Sequence, residues 1–155
     1  MLQPKTAKIT LAVLVALGVL MVLGFTITAS GQTEKPDFSG RWLMVTPAEG
    51  AGQEQVVKQD ATTLTIGPTP EGQLVVYKLD GSENRIVLAS GVVMTSKASW
   101  TGNQLTITST TPSGLDQKQV WSIDGEGKLV IEVQNTLATQ VTIKMTMTYK
   151  RRAVS

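Results

Sequence analysis

The sequence predicts an all-β domain: an antiparallel meander of about 8–10 strands closed into a small barrel or half-barrel, preceded by one N-terminal apolar helix. Three observations predict it. From Phe38 onward apolar and polar residues alternate with period two, and no run keeps a helical period. Gly, Asp, Asn and Pro interrupt that alternation at intervals of about 8–12 residues, too short for the crossovers that parallel strands need. Ahead of the alternation, the run from Ile9 to Phe25 carries no charge and no polar face.

The N-terminal element comes first. Lys5 and Lys8 precede the apolar run, which passes through Thr26, Ile27 and Thr28 to the small residues Ala29, Ser30 and Gly31. Positive, then apolar, then small and polar is the order of an export signal. At about 17 residues the run also reaches the lower limit of a bilayer span. Residues 1–30 therefore read as a signal peptide or a single-pass membrane anchor, and the sequence leaves cleavage and anchoring open. In both cases Lys5 and Lys8 stay on the cytoplasmic side. Everything after Ser30 is then expected outside the cytoplasm: secreted, periplasmic, or anchored in the cytoplasmic membrane. Residues 31–37, polar and interrupted by Pro36, read as a tether.

The β domain is expected over 38–152. Its first strand opens at Gly40-Arg41-Trp42, and only Pro47 to Gln53 separate it from the next, at Val56 to Gln59. Asp60-Ala61 marks a tight reversal into Leu64 and Ile66, which alternate with Thr63 and Thr65. Further on, Asp80-Gly81, Thr101-Gly102-Asn103, Pro112-Ser113-Gly114 and Asp124-Gly125-Glu126-Gly127 are turn signals, because Gly and Asn tolerate the positive φ that hairpins demand. Leu105 and Ile107, then Leu129, Ile131 and Val133, repeat the alternation. The last strand is the most regular: Val141, Ile143, Met145, Met147 and Tyr149 are expected on a buried face, with Thr142, Lys144, Thr146 and Thr148 on a wet one. A sheet of this size with no helix to cover it must curl to hide its apolar face and its edges. A two-sheet sandwich is the alternative.

Composition narrows the chemistry. The 155 residues contain neither cysteine nor histidine. Disulfides, thiolate nucleophiles and thiolate metal ligands are thereby absent, along with the commonest proton shuttle near neutral pH. The 14 basic and 12 acidic residues balance once Lys5 and Lys8 are set aside, and the exported part has no basic stripe for nucleic acid. Asp60, Asp80, Asp116 and Asp124 stand at or beside turns, where Asp bonds nearby backbone. The Asp124–Gly127 loop turns back into a strand before it can supply the ligand positions of a calcium loop. No catalytic residue, metal site or cofactor is expected. Glu132 would serve as an acid only if paired with a second carboxylate.

The stretch Asp37-Phe38-Ser39-Gly40-Arg41-Trp42 resembles the opening strand of lipocalins and related ligand-binding barrels, with their Gly-x-Trp at Gly40-Arg41-Trp42. It is also similar to small, mostly uncharacterised secreted bacterial proteins that open with Asp-Phe-Ser-Gly-x-Trp. Tyr77 to Ser82 and Val120 to Asp124 extend that second likeness over most of the domain. The lipocalin resemblance implies a Trp closing the barrel base and an Arg from the end of the last strand packed over it, here Arg151 or Arg152. It also implies a ligand-holding interior. The Thr-Asp-Tyr motif of lipocalins is missing. So is the helical lid of intracellular fatty-acid-binding barrels, and Met147 stands where their Arg-x-Tyr clamp would place its Arg before Tyr149.

Candidate ligand-binding residues follow. Trp42, Trp100 and Trp121 are candidates to line an apolar cavity, though packing alone also accounts for a Trp. Met145 and Met147, with Met94, would form an adaptable wall, the plainer reading being ordinary inward-facing strand residues. Arg151 belongs to a terminal cluster, Lys150-Arg151-Arg152, which would add about 1 kcal/mol per charge at an anionic membrane surface. The expected function is a non-enzymatic extracytoplasmic domain binding a small apolar or amphiphilic ligand in a barrel interior. The alternative is a solid-cored structural or protein-interaction module of the cell envelope.

Overall fold

A computed structural model of the chain describes residues 34–68 and 73–153. The apolar segment, read above as signal or anchor, lies outside the described residues. Among the described residues no helix is long and apolar enough to cross a membrane.

Among the described residues ten strands form one sheet: β1 (Gly40–Thr46), β2 (Glu54–Gln59), β3 (Thr63–Pro68), β4 (Val75–Lys78), β5 (Asn84–Val87), β6 (Val93–Thr101), β7 (Gln104–Thr110), β8 (Asp116–Ile123), β9 (Leu129–Thr136) and β10 (Thr142–Arg151). Hydrogen bonding runs in the order β4-β3-β2-β1-β10-β9-β8-β7-β6-β5, every described pairing being antiparallel. The fold is thus an up-and-down barrel, not a sandwich, closed by the first and last strands, with Trp42 opposite Arg151 and Met44 opposite Tyr149. One seam interrupts the ring, between β4 and β5. Two side-chain amides bridge it: Asn84 Nδ2 donates to the Val76 carbonyl at 2.9 Å, and Gln73 Nε2 donates to that of Val87.

The turns form where the sequence places them and for the expected reasons. The Asp60 carboxylate accepts the amides of Thr62 and Thr63, each at 2.7 Å. Between β1 and β2 lies a single 3-10 turn, Ala48–Gly50, in place of any lid.

The registers fix which side chains face inward. Leu105, Trp121, Ile131 and Met147 stand in line across β7 to β10, and Leu64 meets Tyr77 across β3 and β4. At the end where β1 begins and β10 finishes, here called the base, this inner face is solid: Phe38, Trp42, Leu64, Leu105, Trp121 and Leu129 are buried. Each such side chain stabilises the fold by about 1.5–3 kcal/mol relative to exposure.

At the opposite end, the mouth, the expectation for β10 needs correcting. Tyr149 is buried, but Met145 is 45% exposed, Ile143 48% and Val141 53%. Met145 and Ile143 have inward parity, since Met145 faces Val133 and Ile143 faces Asn135 on β9, whereas Val141 falls ahead of the strand. Alternation assigns a side chain to a face. It does not guarantee that anything packs against it, and here the barrel opens before these side chains find partners.

Candidate functional site

The barrel interior divides into a plug at the base and an accessible half toward the mouth. Trp42 anchors the plug. Its indole N–H donates to the Phe38 carbonyl at 2.8 Å, and the Arg151 guanidinium lies 4.4 Å from its ring centroid. Arg151 reaches that place across Gly40, donating to the Ser39 carbonyl at 2.5 Å. A Cβ on Gly40 would sit 2.6 Å from the guanidinium, and Gly40 has φ +146°, so the glycine of the Gly-x-Trp is needed for both space and conformation. Phe38 stacks on Trp100 and meets Trp121 edge-on, both with centroids 5.7 Å apart.

Of the two arginines proposed for the base, Arg151 is the one over Trp42. Arg152 instead joins Arg41 on the outer wall, where both pair with Glu54 and tie β1, β2 and β10 together. The Arg41 guanidinium, with Arg152, holds the Glu54 carboxyl below its usual range.

Toward the mouth the inner wall becomes mixed. Met145, Met147 and Ile143 supply apolar surface on β10, beside Val133 on β9. A ladder of amides runs along the neighbouring strands. Trp121 Nε1 donates to Gln119 Oε1 at 2.9 Å, Gln119 Nε2 to Gln117 Oε1 at 2.6 Å, and Gln117 Nε2 to Asn135 Oδ1 at 3.0 Å. Ser96 and Ser109, both buried, share a hydrogen bond of 2.8 Å between β6 and β7.

On the facing wall a cavity of about 270 Å³ is lined by Met44, Gln55, Ile66, Val75 and Tyr149 among others. The Gln55 Nε2 atom in it is buried with no hydrogen-bond partner among the described residues. Burial pushes the Tyr77 and Tyr149 phenols above their ordinary values, with hydrogen bonding to Gln119 opposing the rise at Tyr77.

The six candidate residues therefore do not form one cluster. Trp42, Trp100 and Arg151 belong to the plug. Trp121 belongs to both halves, its ring in the plug and its N–H heading the ladder. Met145 and Met147 line the accessible half. Sequence reading missed Gln55, Gln117, Gln119 and Asn135. A signal was present for two of them: Gln117 and Gln119 share the parity of Trp121, so counting back in twos from a buried Trp puts both amides inside.

Asp60, Asp80 and Asp124 each bond backbone of their own turns. The backbone and hydroxyls of Thr62 and Thr63 hold Asp60 far below its usual range, and Ser82 does the same more weakly for Asp80. Among the described residues, no group of three or more acidic side chains is placed to hold a metal ion.

No protein-family model and no curated protein matches the chain. Among solved structures it is similar to the REP1-NXSQ fatty acid transporter, at 15% identity and a TM-score of 0.58, covering 76% of this chain and 97% of that one. Apo lipid binding protein 8 of Caenorhabditis elegans aligns at 12% identity and TM-score 0.58, covering 74% and 95%. A secretory abundant heat soluble protein of Ramazzottius varieornatus does so at 13% and 0.58, covering 78% and 99%. These likenesses show the fold, a lipocalin-like antiparallel β-barrel.

Proposed function

We propose that this domain works outside the cytoplasm as a non-enzymatic binder of a small apolar or amphiphilic molecule, held in the mouth half of the barrel. One observation carries the reading: Ile143 and Met145 face inward yet stay about half exposed. Apolar side chains left unpacked beside amide donors are the usual lining of a small-molecule site. The likeness to a fatty acid transporter and a lipid binding protein supports the same reading. Lys5, Lys8 and the apolar run Ile9–Phe25 support export.

The test is native mass spectrometry of the full chain, recovered gently from its own host's envelope, followed by solvent extraction of whatever travels with it. A stoichiometric adduct that is lost on denaturation, and that Met145→Glu prevents from binding, is the expected result. A clean apo mass that persists when amphiphiles are offered would overturn the carrier reading. It would favour the interaction module, whose contacts would then fall on the exposed apolar side chains flanking the seam, Leu74, Val76 and Val87.

A further inference from the structure

We infer that the molecule held in the barrel is an uncharged amphiphile whose head group is a hydrogen-bond acceptor, such as an alcohol, ester or amide, and not a free carboxylate. This rests on the binding role proposed above and adds the chemical class of the ligand. Two features of the inner wall carry it.

The first is the absence of a counter-charge. By register, the described inward-facing strand positions hold apolar side chains, Tyr, Ser, Asn and Gln, and one charged side chain, Arg151. Arg151 is committed to the base, with its guanidinium over Trp42 and bonded to Ser39. A carboxylate entering the interior would shed water and meet no cation, a cost that a neutral head group escapes.

The second is the direction of the polar groups. An indole N–H is a donor only. Trp121 therefore fixes Gln119 with its oxygen toward the indole, and that choice passes along the ladder: Gln119 donates toward the mouth to Gln117, which donates sideways to Asn135 opposite it on β9. The last member, Asn135, accepts from Gln117, and its Nδ2 group takes no part in the ladder. Across the barrel, Gln55 Nε2 is a second donor, buried in the cavity wall with no partner among the described residues; Asn84 Oδ1, at the seam between β4 and β5, is the other buried amide atom without one. An unpaired buried donor costs about 1–3 kcal/mol until it meets an acceptor. The cavity thus offers an amide donor with no free cation beside it, since the Glu54 carboxylate that also borders it is paired with Arg41 and Arg152. That suits an oxygen that accepts but carries no formal charge.

The experiment compares three probes of one tail length, dodecan-1-ol, dodecanamide and dodecanoic acid, titrated at neutral pH into the delipidated full chain. Tryptophan fluorescence and calorimetry report binding. The alcohol and the amide should bind about tenfold or more tighter than the acid. In Gln55→Leu that advantage should shrink, and in Gln55→Arg it should reverse, because a cation then faces the cavity. Tighter or equal binding of the acid by the unsubstituted protein overturns the assignment of head group while leaving the carrier reading in place. Should none of the three bind while the chain remains folded by circular dichroism, the carrier reading falls and this inference falls with it.

Discussion

Gly40 has φ +146° and no room for a Cβ, because the Arg151 guanidinium crosses it on the way to Trp42. Gly40→Ala must therefore expel the guanidinium as well as strain the backbone, and should cost about 1–3 kcal/mol in urea unfolding. Arg151→Ala should cost about 1 kcal/mol, the scale of an exposed cation–π contact. Since both substitutions break one contact, their effects should not add. Gly40→Ala should cost less in the Arg151→Ala background, and strict additivity in the double-mutant cycle would show that Arg151 does not hold the base. Gly40, Trp42 and a terminal arginine were legible in the sequence because a short motif marks them. Which arginine was not, since that depends on Arg152 finding Glu54 on the outer face of a strand 98 positions away.

At the scale of elements, alternation and turn chemistry predicted the meander, and the ten antiparallel strands follow it. What alternation does not carry is the pairing partner of the two short strands, β4 and β5. Consecutive in sequence and joined by Asp80-Gly81, they read as a hairpin, yet they form no ladder. Instead Asn84 donates to the Val76 carbonyl across the seam. Four-residue strands held on one side by a ladder and on the other by single amide bonds should be the least protected part of the sheet. Asn84→Ala should accordingly speed amide hydrogen exchange in β4 and β5 and lower stability by about 1 kcal/mol. Amides of β4 and β5 should exchange faster than those of β8 and β9, which are bonded on both edges and open only with the whole barrel. Equal protection throughout the barrel would mean that the seam does not open independently. The amide ladder was only partly legible: the parity of Trp121 places Gln117 and Gln119 inside, but their partner Asn135 depends on the β8–β9 register.

For the whole molecule, the missing residue types set the pH response. With no histidine and no cysteine, no side chain has an ordinary pKa between about 5 and 8. The shifted groups lie outside that window and act at opposite limits. Asp60, bonded first by the Thr62 amide, Asp80 by Ser82, Asp37 by Ser39 and Glu54 by Arg41 are all lowered by folding. Each is more acidic in the folded than in the unfolded chain. Their stabilisation is therefore present above the unfolded value of about 4 and is lost as pH falls below it. Tyr77 and Tyr149, raised by burial, act in the reverse sense: their stabilisation is complete below the unfolded value of about 10 and is lost as pH rises beyond it. Lys128, raised by its bond to Glu126, adds to that alkaline loss. The urea midpoint of the full chain should thus be flat from about pH 5 to 9, fall steeply in acid and fall again in alkali. Asp60→Ala should lower the plateau and flatten the acid limb, because the turn into β3 then has no carboxylate to protonate. A midpoint that slopes between pH 6 and 8 would require a group titrating there, and none of the shifts described here would supply one.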